Sequence, residues 1–200
     1  FAFLRLCGIW PGIGRIDQLL GSYLEKDLRD GVLTLEEARE ILAHFFIKGC
    51  EWITGVAAFD NGSGDAQHYQ NIVLAGVDAQ GREVTNEVTY LVLDILEELG
   101  ISDFPVTVRI NEHSPEQLLR RGGGIVAVYN EPLILRSLVR TGYSLETARG
   151  FANDGCWEVQ IPGHTCFSYV PFDALTLLQK KTLQGGRAHF DSYEALYAQY

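Results

Sequence analysis

Apolar residues recur every three to four positions in two segments near the start of the chain, and this spacing predicts two amphipathic helices. The first covers about residues 15–30 and ends at an Asp-Gly pair. The second opens at Thr34, where Glu37 three residues later completes the pattern of a capping box, and it runs to about Cys50. Its many apolar residues predict that this second helix is well buried.

Farther along, short apolar runs alternate with helical patterns. Runs at 72–77, 104–110 and 125–129 predict three strands. The helices predicted around and after the strands cover about 86–99 with Thr85 as cap, a segment from Pro115 to the triple glycine 122–124, then 131–140, 144–152 with Ser144 as cap, 172–183 and 191–199. We expect 153–171 to be mostly irregular. The alternation predicts an α/β fold, and we treat residues 1–200 as one domain because no linker-like break interrupts them.

Composition and charge exclude several classes of partner. The net charge is -10 and the isoelectric point is about 4.9, so the surface repels nucleic-acid backbones. The sequence contains no apolar run near the ~20 residues that a membrane span needs. We therefore expect neither nucleic acid nor membrane as a partner.

The spacing of the cysteines indicates the cell compartment, and the absence of methionine indicates whether the chain is a fragment. Four cysteines are widely spaced without a C-x-x-C pair, which argues against zinc ribbons and thioredoxin-type chemistry and favours reduced thiols in the cytoplasm. The chain contains no methionine, even at its first position. We expect it to be an internal fragment of a longer protein.

The segment 153–158, Asn-Asp-Gly-Cys-Trp-Glu, carries the candidate chemistry. Gly155 permits a sharp turn, and in an extended chain Cys156 and Glu158 share one face while Trp157 points to the other. A carboxylate near a thiol disfavours the thiolate, which argues against a nucleophile and suits a neutral hydrogen-atom donor. The carboxylate then remains available to move protons. The alternative is a buried structural cysteine beside a surface glutamate.

Three further residues are candidates for substrate contact. His164 lies in the same loop, close to Cys166, and His68 lies in the polar loop 60–68. Asn153 precedes the cysteine and is expected to shape its loop. No histidine–carboxylate spacing resembles a metal-binding motif, so we predict no metal site.

A series of segments in a fixed order resembles the glycyl radical enzymes. Residues 14–18, Gly-Arg-Ile-Asp-Gln, and the following 23–28 are similar to one family segment. Residues 71–87 are similar to a strand–turn–helix segment with the pattern N-x-x-L-x-G-x-D-x-x-G-x-x-x-T-N-E. Further similarity lies in the Val-Arg of the second predicted strand, in 129–131, and in Gly-Cys-x-Glu at 155–158. These segments span about residues 11–163, most of the chain.

The resemblance implies a fold and a mechanism. The fold is a ten-stranded α/β barrel with the cysteine loop inside, of which this chain is one fragment of the catalytic domain without the C-terminal glycyl radical domain. A protein-based glycyl radical outside the fragment, generated by a radical SAM activating enzyme, takes hydrogen from Cys156, and the thiyl radical abstracts hydrogen from a small-molecule substrate. Glu158 serves as general base in a C–O, C–N or C–S elimination or a decarboxylation. The fragment itself binds no cofactor and is inactive alone, and the full-length protein is expected to be a homodimer.

Other functions stay open. A formate C-acetyltransferase, the pyruvate formate-lyase activity, carries adjacent cysteines, whereas Gly155 precedes the single cysteine here. Trp157 and Val159 replace a small aliphatic residue and a proline that are common in the family, which points to an unusual substrate. Outside radical chemistry, the chain could be a thiol hydrolase that pairs Cys156 with His164, or a barrel relic without catalytic activity.

Overall fold

The computed structural model describes residues 12–50, 70–101, 104–155, 157–165 and 174–200. The chain divides into two compact units, Phe1–Cys166 and Phe167–Tyr200. That the whole chain is one fragment of a single barrel domain stays a prediction.

The first unit opens with the two predicted helices. Helix α1 spans Ile16–Arg29 and helix α2 spans Leu35–Cys50. The capping box is present, because the Glu37 amide donates to Thr34 Oγ1 over 3.2 Å and the Thr34 amide donates to Glu37 Oε2 over 2.8 Å. Both predictions are confirmed within one or two residues at the ends.

Three parallel strands form the central sheet in the order β1-β2-β3, which confirms the three predicted strands. They are β1 (Ile72–Ala75), β2 (Val106–Ile110) and β3 (Ala127–Asn130). Helix α3 (Glu87–Leu99) connects the first two strands, and helix α4 (Glu116–Ile125) connects the last two. Every residue of β1 is buried, as expected for a parallel strand covered on both faces. The core consists of β1, β2 and the apolar faces of α1 to α4.

Two predicted helix boundaries are wrong. The cap of α3 is Asn86 and not Thr85: the Asn86 side chain accepts from the Val88 amide, and Thr89 Oγ1 accepts from the Asn86 amide. The Thr85 hydroxyl instead donates to Glu83 Oε1 over 2.6 Å.

The triple glycine does not end α4, which continues to Ile125. Gly122 is buried, and a Cβ built on it would lie 3.6 Å from a methyl group of Val108 in β2. Glycine costs about 1 kcal/mol in a helix interior, and the helix continues through Gly122 despite that cost.

After β3 follow helix α5 (Glu131–Arg140) and helix α6 (Leu145–Arg149), the latter capped by Ser144 as predicted. Helix α6 ends before residue 152 because Ala152–Asp154 forms strand β4. Strand β4 pairs antiparallel with β5 (Glu158–Gln160). The prediction of a mostly irregular segment is therefore wrong for these residues.

The second unit contains a short helix α7 (Ala174–Thr176) that continues as a π-helix (Leu177–Thr182), followed by helix α8 (Tyr193–Gln199). The two predicted C-terminal helices are thus confirmed in position. Over the residues described, the helices are all too short or too polar to cross a membrane.

Candidate active site

The candidate site is the hairpin formed by β4 and β5. In the ladder, Asn153 pairs with Val159 and Asp154 pairs with Glu158. The chain turns between the strands, with φ of 55° at Gly155 and 80° at Trp157. Cys156 lies between these two residues in sequence and outside the described residues. That its sulfur shares a face with Glu158 therefore stays a prediction.

Two residues of the central sheet hold the backbone on either side of position 156. Asn71, directly before β1, donates from Nδ2 to the Gly155 carbonyl over 3.0 Å. The Tyr129 hydroxyl in β3 donates to the Trp157 carbonyl. The hairpin is therefore tied to the first and third strands of the sheet at its turn.

Two carboxyl groups stand opposite each other across the hairpin. Glu158 is exposed, while Asp154 is half-buried. Burial raises the pKa of Asp154, and the charge of Glu158 raises it further, although a hydrogen bond from the Gly155 amide partly offsets both. The pair thus combines a half-buried carboxyl with a raised pKa and a solvent-accessible one.

Asn153 is fully enclosed in β4, with only 1% of its surface exposed. Neither Oδ1 nor Nδ2 of its side chain has a hydrogen-bond partner among the residues that the structure describes. A buried amide without partners costs about 1–3 kcal/mol, so this side chain needs a polar group beyond those described.

The remaining sequence candidates are not brought together by the described structure. His164 lies on an exposed turn after β5, where its amide donates to the Ile161 carbonyl over 2.9 Å. His68 and Cys166 lie outside the described residues. In the described portion, no group of three or more His, Cys, Asp or Glu side chains could hold a metal ion.

A buried ion pair binds the segment that leads into the hairpin, and the sequence patterns did not predict this contact. Arg109 in β2 and Glu131 at the start of α5 are 0% and 1% exposed, and Arg109 Nη2 bonds Glu131 Oε1. Arg109 Nη1 also donates to the Phe151 carbonyl over 2.9 Å, and its guanidinium lies 4.0 Å from the centre of the Phe151 ring. Burial lowers the pKa of Arg109 to about 10, and the nearby Arg15 charge contributes. The presence of Arg109 inside a mostly apolar strand was the sequence feature that could have indicated this buried pair.

Arg15 and Asp17 are a second set of buried charged residues. Arg15 donates to the carbonyls of Ala75 and Val77, each over 2.8 Å. Asp17 accepts from the Ala75 amide over 2.6 Å and from the Thr89 hydroxyl over 2.8 Å. Both side chains therefore bind the end of β1, where Ala75 adopts a φ of 60°.

A cavity of about 510 Å³ lies at the carboxyl edge of the sheet, separate from the hairpin. Val77, Asn111 and Glu131, which follow the three strands, line it together with residues of α5 and α6. The candidates Asn153, Glu158 and His164 are not among its lining residues.

Comparison with known proteins gives a consistent result. Residues 11–193 match the family described as pyruvate formate lyase-like. Trans-4-hydroxy-L-proline dehydratase from Clostridioides difficile is 26% identical over 89% of this chain and 24% of its own length. Isethionate sulfite-lyase from Nitratidesulfovibrio vulgaris is 28% identical over 86% of this chain and 23% of its own.

A solved structure agrees with these relatives. The crystal structure of a glycyl radical enzyme from Archaeoglobus fulgidus superimposes with a TM-score of 0.66 and 30% identity, over 78% of this chain and 21% of that one. The likeness confirms the predicted α/β fold as part of a glycyl radical enzyme barrel. The chain spans about a quarter of the length of these relatives. By its sequence match over most of its residues and its structural likeness, the chain belongs to the pyruvate formate lyase-like family of glycyl radical enzymes.

Proposed function

We propose that this chain carries the hydrogen-abstracting loop of a glycyl radical dehydratase or lyase, with Cys156 as the hydrogen-atom carrier and Glu158 as general base. The observation that carries the proposal is the hairpin around position 156, which is tied to the barrel sheet and places Glu158 in its second strand. The positive φ on both sides fits a turn that presents a single side chain.

The chemistry divides between the two residues. The family's glycyl radical supplies, through the Cys156 thiol, a sulfur-centred radical. Cys156 takes one hydrogen atom from a substrate carbon and forms its S–H bond. Glu158 accepts a proton from a substrate hydroxyl or carboxyl while the neighbouring bond breaks, and it returns that proton to the departing anion in an elimination or to the product in a decarboxylation. The product radical then takes the hydrogen atom back from the Cys156 thiol, so the sulfur ends as it began.

The carboxyl pair of the hairpin supports Glu158 as the base. Asp154 is pushed toward its protonated form by burial and by the charge of Glu158 across the ladder. Two titratable groups in different surroundings divide acid and base roles in this manner. Glu158 is solvent-accessible and serves as the proton acceptor of the pair.

Asn153 is the proposed substrate contact with most support. Its side chain is a buried amide, and among the described residues neither its donor nor its acceptor has a hydrogen-bond partner. A polar substrate group within reach would satisfy them. His164 on the following turn and His68 in the polar loop are further proposed contacts.

The reaction class is proposed as elimination. The relatives named above are a dehydratase and a sulfite-lyase. Acetyl transfer with formate is less favoured, because glycine and not a second cysteine precedes Cys156. We expect the 200 residues alone to be inactive, and the enzyme that contains them to require a radical SAM activating enzyme and to form a homodimer.

The test is a comparison of Cys156→Ser and Glu158→Gln in the full-length enzyme, activated anaerobically. Electron spin resonance should show an unchanged glycyl radical signal in both variants, while turnover falls roughly 10³-fold or more. Cys50→Ser is the matched control and should keep both the glycyl radical signal and normal turnover. Turnover by Cys156→Ser at normal radical content would disprove the assignment. Activity in air that alkylation abolishes would indicate the thiol hydrolase instead, and absence of any radical would indicate a relic.

A further inference from the structure

We propose that Asn71 and Tyr129 are positioning residues that fix the backbone on either side of position 156 through its two flanking carbonyl groups. The inference rests on the proposed function, since it gives Cys156 a defined place from which to exchange a hydrogen atom. It concerns two residues outside the hairpin, one directly before β1 and one in β3.

The contact at Gly155 comes from a buried side chain. Asn71 is 0% exposed, and its Nδ2 donates to the Gly155 carbonyl across 84 positions of sequence. Its own carbonyl accepts from the amides of Ile13 and Gly14 over 2.9 and 3.1 Å. These two bonds hold the main chain from which the Asn71 side chain reaches the loop.

The contact at Trp157 comes from β3, the third strand of the sheet. The Tyr129 hydroxyl donates to the Trp157 carbonyl, and its ring packs on Phe151 with centres 6.0 Å apart. Burial raises the pKa of Tyr129 to about 12, and the charge of Glu158 adds to the effect. The hydroxyl therefore keeps its proton, and with it the donor role, at any physiological pH.

The backbone between these contacts is unfavourable without them. Trp157 has a φ of 80°, a value that residues with a side chain rarely adopt. Such a conformation persists only when the surroundings determine it. The hairpin ladder holds the residues from 152 to 154 and from 158 to 160, and the two carbonyl contacts hold the turn between them.

Fixing the turn matters because hydrogen-atom transfer requires donor and acceptor to be in contact. A displacement of about 1 Å at a reacting group costs roughly 10²-fold in rate. Neither Asn71 nor Tyr129 needs to touch substrate to have this effect, so each acts through the backbone of the loop.

Hydrogen exchange on the full-length protein that contains this chain tests the two contacts directly. Tyr129→Phe removes one oxygen atom, and Asn71→Asp keeps the shape but removes the amide donor. Each should raise the exchange of the peptide covering 152–160 about tenfold, the effect of one lost hydrogen bond. Exchange in α3 should stay unchanged. Tyr143→Phe, on another half-buried tyrosine, is the matched control and should leave both segments unchanged.

If Tyr129→Phe shows the same exchange in 152–160 as the wild type, the proposal is overturned. It is also overturned if exchange in α3 rises as much as exchange in 152–160, because that result indicates a loss of overall stability. If Asn71→Asp does not fold, Tyr129→Phe alone decides.

A second measurement separates this inference from the proposed function. In the activated full-length enzyme, Tyr129→Phe should lower kcat about 10–100-fold while KM stays within about twofold and the glycyl radical signal is unchanged. An effect on KM alone would contradict a positioning role. If Cys156→Ser keeps its turnover, the proposed function fails, whereas the exchange experiment still decides whether the two contacts hold the loop.

Discussion

At the scale of single residues, the sheet is organised around charges that a core normally excludes. Arg109 reaches Glu131 and the carbonyls of Phe151 and Arg149, so one guanidinium joins β2, α5 and the chain that enters the hairpin. Glu131 in turn accepts from the Val77 amide over 3.1 Å and from Asn111 Nδ2 over 2.7 Å. A buried charge is tolerated only when it is paired and hydrogen-bonded, and both conditions hold here.

Glu131→Gln tests this buried pair. The variant keeps the size of the side chain but leaves the Arg109 charge buried without its partner, which should lower the free energy of unfolding by about 3–5 kcal/mol. Urea denaturation followed by circular dichroism measures the change. Glu116→Gln is the control: its ion pair with Arg120 is 76–77% exposed, and the loss should stay below about 1 kcal/mol. Equal effects of the two variants would contradict the buried-pair interpretation.

Tyr129 should make stability depend on alkaline pH. Its pKa is raised from 10.0 to about 12 in the folded chain, so the native state keeps a proton that the unfolded state releases. The contribution is fully present below pH 10 and is lost as pH rises toward 12. Urea midpoints measured from pH 8 to 11.5 should therefore fall more steeply for the wild type than for Tyr129→Phe. Parallel curves for the two proteins would show that this tyrosine titrates normally.

Single residues also show what the sequence could reveal about the site. The spacing of Cys156 and Glu158 suggested a shared face only for an extended chain. The structure instead turns here, with positive φ at Gly155 and Trp157, and β5 begins at Glu158. The role of Asn71 was hidden, because its partner Gly155 is 84 positions away. Contacts of that separation depend on how the elements assemble, which no local pattern encodes.

At the scale of elements, local signals predicted boundaries well where the stabilising contacts are local. The Thr34–Glu37 box and the predicted helix end at residue 99, where Gly100 adopts the left-handed conformation, involve only neighbouring residues, and both predictions are confirmed. Thr85 was the wrong cap because Asn86 also donates to the Asp17 carbonyl over 3.0 Å, a tertiary contact. The triple glycine was misread for the same reason, since Gly122 packs on β2.

The hairpin escaped prediction because its strands are short. β4 and β5 have three residues each, too few for an apolar–polar alternation to appear. Its conformation depends instead on contacts with the sheet, through Asn71 and Tyr129.

The turn after β1 should tolerate no side chain. Gly76 has a φ of 80°, and a Cβ there would lie 2.6 Å from Arg109 Nε and 2.8 Å from Glu131 Oε1. Gly76→Ala should therefore cost about 3 kcal/mol or more in unfolding free energy, from backbone strain together with displacement of the ion pair. Gly31→Ala is the matched control, because φ is 68° and nothing lies within 4 Å. It should cost about 1–2 kcal/mol, from strain alone. Equal losses in urea denaturation would show that the ion pair adapts.

At the scale of the whole molecule, the first unit is built around one core that also carries the site. Strand β1 packs against α1 and pairs with β2, and it follows directly on Asn71, which holds the hairpin. The α/β alternation was readable from the sequence because buried strands and amphipathic helices have different periods. The barrel could not be predicted from these patterns, because three neighbouring strands alone do not determine how a sheet closes. It was expected only from the resemblance to the family.

Because the core and the site share β1, a cavity in the core should weaken both together. Leu93 in α3 is fully buried within this cluster, and Leu93→Ala should lower the free energy of unfolding by about 2–5 kcal/mol. Leu133→Ala removes the same atoms from a side chain that is 54% exposed, and its effect should stay within about 0.5 kcal/mol. Hydrogen exchange during urea titration should show the hairpin peptide 152–160 losing protection at the same lowered midpoint as α3. Retention of hairpin protection after α3 has unfolded would mean that the site is stabilised independently of the sheet.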